Sequence, residues 1–365
     1  MKKLLRVILF CFVAVVCNVQ AHGAELRYMQ HDFYAHPSPT FGINAVQRFN
    51  PQYITVLEHI GGGWVRICTY QGYAYVNLEI AQSVRRLSNF FRRYGGNVAI
   101  FYKNIESGFT YIHNPNAVFF GASVPKLYHA LYVYTLAEMG LISLDTIHTY
   151  TRADYWGGSG VIRRMPFGRE FTTRELLRYS IVYSDNVAFR MLVRNYNHPE
   201  FTFHDFAYSL RVTVRHVYNI FAQNTTARDA GKWAQAVFEY IESDGRYAHF
   251  LKYDLLNVAV RFIHSSYPTF QKYGWTSRFF HDLAIVYAES PYILIILSRL
   301  EEEEGYIYIN DVLTNPRNVF REISVFVQEF NARYFPPREE PPEVIKVHEY
   351  TFEKIDLFIG VEFRL

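Results

Sequence analysis

The segment at residues 120–126 is the feature that most constrains this chain. A small-residue turn at residues 121–122 places Ser123 and Lys126 three residues apart, at the start of an apolar helix that is predicted to end at Gly140. Positions i and i+3 lie on one face of a helix, so the amine of Lys126 can lie beside the hydroxyl of Ser123. A helix that is apolar on most of its sides is usually buried, which predicts that this pair lies inside a domain.

Two interpretations of the pair are open at this point. A neutral Lys126 can take the proton of Ser123, which requires that the amine is desolvated or lies next to another cation. Alternatively, Ser123 only caps the helix and Lys126 is a surface residue. Because serine and lysine at this spacing are common, the pair alone does not decide between these interpretations.

Two later motifs favour the catalytic interpretation. The sequence Ser-Asp-Asn at residues 184–186 lies between two predicted helices, and a capping box at residues 172–175 opens the first of them. A further helix is predicted to start near residues 226–229. The sequence Lys-Tyr-Gly at residues 272–274 precedes two predicted strands at residues 283–287 and 292–297. S-x-x-K followed by S-D-N and K-T-G is the signature of class A β-lactamases and penicillin-binding proteins, and this chain has tyrosine in place of the threonine.

The sequence around the motifs also resembles the class A β-lactamase family, at residues 94–100, 122–127, 224–229 and 281–286. The resemblance covers residues 78–335. It implies a mixed α/β (α+β) fold of the β-lactamase/transpeptidase type. In that fold a five-stranded antiparallel sheet is formed from both ends of the domain and packs with a helical subdomain.

The resemblance implies a role for each motif residue. Ser123 would be the nucleophile that accepts the acyl group, Lys126 the base that activates it, and Ser184 the relay that passes a proton to the leaving nitrogen. Asn186 would bind the amide of the substrate's side chain. Lys272 would supply positive charge for a substrate carboxylate and help to keep Lys126 neutral.

The residues after the third lysine would complete the site. The backbone N–H groups of Ser123 and Trp275 would form the oxyanion hole, and Gly274, the last residue of the third motif, would belong to the same substrate-binding edge. Asp185 is predicted to be structural, with its carboxylate bonded to backbone between the two helices.

The tyrosine of the third motif departs from the family pattern. Tyr273 is expected to carry its hydroxyl further out than threonine would. Recognition of a substrate carboxylate is therefore predicted to pass to Thr276 or Ser277.

The loop after the second motif departs further. Class A β-lactamases carry a glutamate there, followed by leucine and asparagine, and the glutamate activates the water that releases the acyl group. The corresponding segment at residues 209–216 contains no glutamate. Glu200, His204 and Asp205 are the nearest candidates, but their positions do not match the family's, so fast deacylation is in doubt.

The chain is predicted to have four parts. Residues 1–24 have the basic start, apolar run and small residues of a signal peptide, which predicts a secreted or periplasmic protein of the cell envelope with no membrane span once the leader is removed. Residues 25–77 comprise a linker or extended arm, over 25–43, and a small β-meander that resembles part of a bacterial SH3-like module. That meander is either a wall-binding module or a hairpin packed on the hydrolase domain at 78–335. A proline-marked tail with a predicted hairpin, at 336–365, follows.

Charge and histidine patterns count against other classes of function. The formal charge of +3, with acidic and basic residues interspersed, does not indicate nucleic-acid binding. The 14 histidines include no H-E-x-x-H motif, and His281-Asp282 is predicted to be a turn beside a strand, so neither a metal site nor a cofactor is predicted.

Three functions therefore stay open. The first is a secreted class A β-lactamase-like enzyme that hydrolyses β-lactams through an acyl-enzyme. The second is a D,D-peptidase or penicillin-binding enzyme with slow release, acting on D-alanyl peptides of the cell wall. The third is an inactive envelope-binding protein, against which the intact serine, lysine, serine and asparagine argue. The predicted partner is a β-lactam or a peptidoglycan peptide, and the oligomeric state is open.

Overall fold

The structure is a computed structural model that describes residues 25–29, 33–39, 47–49, 52–69, 72–213, 223–300, 307–309 and 312–336. The predicted signal peptide and the hairpin predicted for the tail lie outside these residues. The described strands are β1 (Glu25–Met29), β2 (Phe33–Ala35), β3 (Gln47–Phe49), β4 (Gln52–Gly61), β5 (Trp64–Thr69), β6 (Gly72–Asn77), β7 (Val98–Asn104), β8 (Thr110–His113), β9 (Phe119–Phe120), β10 (Ile147–Thr149), β11 (Glu170–Thr172), β12 (Asn224–Thr225), β13 (Thr269–Trp275), β14 (Phe279–Val286), β15 (Tyr292–Arg299), β16 (Ile307–Ile309) and β17 (Val312–Thr314). The described helices are α1 (Leu78–Arg92), α2 (Pro125–Glu138), α3 (Thr173–Val182), α4 (Asn186–Asn195), α5 (Phe203–Ser209), α6 (Ala227–Ile241), α7 (Ala248–Leu256) and α8 (Pro316–Tyr334).

A five-stranded antiparallel sheet with the order β13-β14-β15-β7-β8 forms the centre of the main domain. Strands β7 and β8 precede Ser123 and the other three follow it, so the sheet is built from both ends of the domain, as predicted. On β15, Ile293 and Ile295 face the core under α2 to α7, whereas Leu294 and Ile296 face the core under α1 and α8. Because helices cover both faces, the strand is apolar from Tyr292 to Leu297.

Helix α2 carries Lys126 and lies inside the helical core. Twelve of its fourteen residues are buried. Pro125 occupies the first turn, where no intrahelical hydrogen bond is lost, and the helix ends just before Gly140, which has φ +73°. Tyr128 stacks on Trp233 of α6 with ring centroids 4.5 Å apart. The predicted central helix is therefore confirmed.

Two predicted helix starts are also confirmed. The side chain of Thr172 accepts a hydrogen bond from Glu175 N, and the Glu175 carboxylate accepts one from Thr172 N, which is the reciprocal cap expected for α3. Thr226 accepts a hydrogen bond from Asp229 N at the start of α6. These local caps set where the helices that surround α2 begin.

A second antiparallel sheet, β1-β4-β5-β6, precedes the main domain. Its core contains Val56, Val65 and Val76, together with Ala81 of α1. Helix α1 follows β6 directly, so it joins the two sheets. The linker predicted for residues 25–43 is wrong for β1, which pairs with β4, because the pairing partner is distant in sequence and no local period signals it. The SH3-like resemblance stays a prediction.

The turn predicted at His281-Asp282 is wrong, because both residues lie fully buried within β14. Two polar residues in an apolar strand resemble a turn signal, but here each has a partner inside the protein. His281 Nε2 lies 2.8 Å from Phe120 O, and Asp282 Oδ2 accepts hydrogen bonds from Phe262 N and Ile263 N. In the part of the chain described, no helix combines the length and apolar character that a bilayer span needs.

Gly231 on α6 provides a test of how the helical layer sits on the sheet. A Cβ atom at this position would overlap the ring of Phe101 on β7. Gly231→Ala gains about 1 kcal/mol of helix propensity but overpacks the interface, which typically costs about 1–3 kcal/mol. We therefore expect a lower urea midpoint for Gly231→Ala, measured by circular dichroism.

Adding Phe101→Leu to Gly231→Ala should recover part of that loss, because the smaller side chain leaves room for the new methyl group. A Gly231→Ala variant as stable as the wild type would show that this close approach of helix and sheet is not needed.

Candidate active site

The turn before α2 holds Ser123 in a strained backbone. Ala122 has φ +48°, a left-handed conformation that costs a non-glycine residue of order 1–3 kcal/mol. The turn is fixed on one side by a hydrogen bond from Gly121 N to Gln223 O of 2.8 Å. The residue that caps α2 is Val124, and it makes no side-chain capping bond. The interpretation of Ser123 as a simple helix cap is therefore wrong.

Lys126 is buried, with 3% of its surface exposed, so the surface-residue interpretation is also wrong. Its Nζ lies 2.5 Å from Ser184 O, 2.6 Å from Asn186 Oδ1 and 3.0 Å from Ser123 Oγ. The first two oxygens can only accept hydrogen bonds, so they take two N–H groups of the amine. A neutral amine would then have its lone pair free for the hydroxyl of Ser123.

The charge of Lys126 is disfavoured by its surroundings. Burial lowers the pKa of Lys126 from its usual 10.5 to about 7, and the carboxylate of Asp185 opposes this shift. Removing an ammonium group from water penalises the charged form, since no surrounding group solvates it as well as water does. At neutral pH a large fraction of this amine is neutral, which is the state that a base requires.

Ser184 lies between two lysines. Its Oγ is 3.2 Å from Lys126 Nζ and 3.0 Å from Lys272 Nζ, and all three side chains are buried. Burial lowers the pKa of Lys272 well below its usual value, the nearby Lys126 lowers it further, and Asp282 opposes both effects. Because each amine disfavours the charge on the other, the serine hydroxyl bridges a pair of groups that compete for one proton.

Asp185 has the structural role that the sequence predicts. Its Oδ1 accepts hydrogen bonds from Val187 N and Ala188 N at the start of α4. Its Oδ2 accepts hydrogen bonds of 2.6 Å from Val161 N and 2.9 Å from Ile162 N. One carboxylate therefore holds both the helix that starts at Asn186 and a distant loop.

That loop, at residues 157–162, was missed in the sequence analysis. Asn186 Nδ2 donates a hydrogen bond to Gly157 O, and because this carbonyl can only accept, the bond also fixes which end of the amide faces Lys126. Gly158 and Gly160 have φ +86° and +108°. A Cβ at Gly158 would lie 2.8 Å from Asn186 Nδ2, and one at Gly160 would overlap Asp185. The run Gly-Gly-Ser-Gly was the available signal.

The register of β13 and β14 decides which N–H groups face the open edge of the sheet. Tyr287 N donates to Pro268 O, and Thr276 N donates to Phe279 O. Even-numbered residues of β13 therefore bond to β14, and in an antiparallel ladder the odd-numbered ones point the other way. Since β13 is an edge strand, the N–H of Trp275 points away from the sheet.

Gly274 brings this edge against the serine turn. A Cβ at Gly274 would lie 3.0 Å from both Ser123 N and Gly121 O, so the turn packs directly on β13. The two N–H groups proposed for an oxyanion hole, on Ser123 and Trp275, thus lie on adjoining elements. Trp275 is exposed, and Thr276 beside it is half-buried.

Tyr273 does not extend outward as the sequence analysis expected. Only 6% of its surface is exposed, and its ring meets Phe262 edge-on with centroids 6.0 Å apart. The ring centroid also lies 4.3 Å from Lys272 Nζ. Tyr273 packs in the core under α1 and α8. Burial raises the pKa of Tyr273 and a side-chain hydrogen bond with Ser184 opposes that shift, so the tyrosine hydroxyl lies beside the serine of the second motif.

The loop candidates for a second base lie elsewhere. Asp205 accepts hydrogen bonds from Thr202 and caps α5, and Glu200 is exposed. The segment packs on α2 at Tyr132, whose hydroxyl donates to Phe201 O. Tyr132 is six residues beyond Lys126, about 9 Å along the helix axis. The structure therefore does not bring Glu200, His204 or Asp205 to Ser123.

Metal ligands do not gather in this site. The described residues contain no group of three or more histidine, cysteine, aspartate or glutamate side chains able to hold a metal ion. The partners of Lys126 Nζ are two serine hydroxyls, a carbonyl and an amide oxygen. The arrangement can move a proton from a serine and stabilise an oxyanion.

Comparison with known proteins agrees with this geometry. A family model described as the beta-lactamase enzyme family matches residues 82–324. No curated protein matches the chain.

Solved structures with the same fold have low sequence identity to this chain. A β-lactamase from Sphaerobacter thermophilus is 17% identical, with a TM-score of 0.56 over 72% of this chain and 99% of that one. A β-lactamase from Burkholderia vietnamiensis is 20% identical, with a TM-score of 0.55 over 68% and 96%. A point mutant of PBP-A, solved as an acyl-enzyme complex with penicillin G, is 13% identical, with a TM-score of 0.56 over 68% and 97%.

Asp185→Asn tests whether this carboxylate holds the site together. An amide presents one oxygen and one N–H₂ group where four backbone N–H groups now meet a carboxylate. Leaving a buried donor without an acceptor costs about 1–3 kcal/mol. We expect a clearly lower melting temperature by differential scanning calorimetry.

Asp205→Asn is the matched control, because Asp205 also bonds backbone at a helix start but is exposed. Its melting temperature should change little. Equal melting temperatures for Asp185→Asn and the wild type would contradict the holding role.

Proposed function

The chain belongs to the beta-lactamase enzyme family and is a β-lactamase-like serine hydrolase, and from this premise we propose that β-lactams and D-alanyl peptides acylate it at Ser123. The strongest support for this proposal is the environment of Lys126. The buried amine of Lys126, with a pKa of about 7, lies 3.0 Å from the hydroxyl of Ser123. A general base within hydrogen-bonding distance of the proton that it removes, and with a pKa near the working pH, is what nucleophilic activation needs.

Acylation begins when neutral Lys126 takes the proton of Ser123 as its oxygen attacks the carbonyl carbon of the substrate. Negative charge then develops on the carbonyl oxygen. The backbone N–H groups of Ser123 and Trp275 are the donors for this oxyanion, because the first lies on the serine turn and the second on the open edge of β13. The tetrahedral intermediate collapses when the carbon–nitrogen bond breaks.

Ser184 supplies the proton that the leaving nitrogen needs. Its hydroxyl lies within 3.2 Å of Lys126 Nζ and 3.0 Å of Lys272 Nζ. The proton that Lys126 received can therefore pass to Ser184 as the serine's own proton moves to the nitrogen. Serine ends the step neutral, and Lys126 returns to its neutral form.

Lys272 links substrate binding to activation of the base. In the free protein burial and Lys126 both lower its pKa, so a charge on Lys272 is unfavourable there. A substrate carboxylate bound beside Lys272 would favour that charge and so raise the pKa of this lysine. The shared proton would then move to Lys272 and leave Lys126 neutral. Asn186 Nδ2 donates one hydrogen to Gly157 O, and its second hydrogen can be donated to the substrate.

A penicillin-binding enzyme with slow release is the second candidate function. It is favoured by the position of Asp205, which caps α5 at a distance from Ser123, and by the exposure of Glu200. In the described residues, no carboxylate is bonded to Ser123 or Lys126. Deacylation would then lack the base that class A β-lactamases use for their water.

The place of action is part of the proposal. The basic start and apolar run of residues 1–24 support export to the periplasm or cell exterior. β-Lactams and peptidoglycan peptides are both available there, whereas D-alanyl peptides of mature wall are not cytoplasmic. Cell fractionation of a tagged full-length chain, with and without residues 1–24, tests this part.

The acylation proposal predicts specific labelling rates. A fluorescent penicillin should add one acyl group to the wild type and none to Ser123→Ala, as measured by intact mass. Lys126→Ala and Lys126→Arg should each slow labelling at least about 100-fold, because alanine has no base and guanidinium stays charged. The wild-type rate should rise with pH around about 7, since only the neutral form of Lys126 accepts a proton.

Ser209→Ala is the control for these variants, since Ser209 is an exposed serine on α5. It should label at the wild-type rate. Equal labelling of Ser123→Ala, or unchanged rates in both folded Lys126 variants, would show that the nucleophile or the base is another residue.

The slow-release candidate predicts burst kinetics. Rapid mixing with a chromogenic cephalosporin should give a burst of about one equivalent and then a slow linear phase, because loss of general-base help costs roughly 10²- to 10⁴-fold in rate. Glu200→Gln and Asp205→Asn should leave the slow phase unchanged. Fast turnover with no burst in the wild type and in both variants would contradict slow release. It would indicate an efficient β-lactamase instead.

A further inference from the structure

His281 lies opposite Gly274 at the point where the sheet meets the serine turn. The two residues form a direct cross-strand pair between β14 and β13, and paired residues project to the same face of a sheet. The imidazole therefore lies on the face where Gly274 touches Ser123 N and Gly121 O. Glycine leaves room for the turn, and the neighbouring imidazole fills the space beside it.

The hydrogen bonds of His281 determine which ring nitrogen carries the proton. Ser298 N donates to Nδ1 over 3.1 Å, so Nδ1 has no hydrogen of its own. Nε2 must then carry the hydrogen, and it donates to Phe120 O over 2.8 Å. Burial lowers the pKa of His281 to about 4, so the ring stays neutral in this form at neutral pH.

The hydrogen bond from His281 to Phe120 joins the main sheet to the segment that leads into the serine turn. Acylation requires a fixed distance between these two elements. One oxyanion donor, the N–H of Ser123, belongs to the turn that follows Phe120, and the other, the N–H of Trp275, belongs to the sheet. The turn contains the strained Ala122, so its conformation has to be imposed by its neighbours. Gly121 N bonds to Gln223, but β12 is not part of the main sheet. His281 provides a direct bond from sheet to turn.

We propose that His281 is a positioning residue that sets the separation of the two oxyanion donors by holding Phe120 O. It touches neither substrate nor the reacting atoms. The inference rests on the proposed acylation at Ser123. Its effect should appear in the acylation step and not in substrate binding, because charge reaches the oxyanion hole only in the transition state. A displacement of about 1 Å can cost 10²-fold in rate.

Two amide variants separate the two hydrogen bonds of His281. Glutamine places its Nε2 the same number of bonds from the backbone as the imidazole Nε2, so His281→Gln can still donate to Phe120 O. Asparagine is one methylene shorter, so His281→Asn can accept from Ser298 N but cannot reach Phe120 O. His129→Asn is the matched control, since His129 is also fully buried and packs among Phe189 and Phe203.

Stopped-flow labelling over a range of penicillin concentrations gives the dissociation constant and the acylation rate constant separately. We expect His281→Asn to lower the rate constant about 10- to 100-fold while the dissociation constant changes less than about 3-fold. His281→Gln should recover most of the rate, and His129→Asn should keep the wild-type rate.

Three results would overturn the inference: a wild-type rate constant in His281→Asn, an equal loss in His281→Gln, or an equal loss in His129→Asn. If His281→Asn does not fold, as judged by circular dichroism, His281→Gln decides alone, and a loss above 10-fold in that folded variant refutes the role. A wild-type protein that penicillin does not label refutes the proposed function itself, so the two failures are distinguishable.

Discussion

An ammonium group in water is charged at neutral pH, and a charged lysine cannot remove a proton from serine. The acylation that we propose for this protein therefore depends on the removal of water from Lys126. Helix α2 achieves this because it is buried on nearly every side. The oxygens within hydrogen-bonding distance of the amine are a carbonyl, an amide oxygen and two serine hydroxyls. Its pKa of about 7 follows from that burial.

The rest of the domain keeps this arrangement in place. The sheet carries Lys272 and the open N–H of Trp275, and the helical layer carries Ser184 and Asn186. Asp185 ties the helical layer to the glycine loop, which in turn fixes the amide of Asn186. Both Ala122 and Ser184 have positive φ angles, so the strained backbone lies at the site itself. Such strain persists only where the surrounding structure imposes it.

Sequence reasoning recovered what depends on local signals. The spacing of Ser123 and Lys126, the cap at Thr172 and the strand pair after Lys272 are all encoded within a few residues. Contacts between distant segments were missed: β1 pairs with β4, and His281 bonds Phe120 from within a strand. In the sequence alone, a polar residue within an apolar segment indicates a turn. Its place inside a strand becomes clear only from its hydrogen-bond partner in a distant segment.

The central claim is that burial lowers the pKa of Lys126 to about 7, so that a large fraction of this amine is neutral at neutral pH, and this pKa can be measured directly. Lysine ¹³Cε labelling followed by NMR titration, with Lys126→Arg used to assign the signal, reports the protonation of this one amine. The account predicts a signal that titrates near pH 7 and is missing from Lys126→Arg. A Lys126 signal that titrates near pH 10, like an exposed lysine, would contradict it.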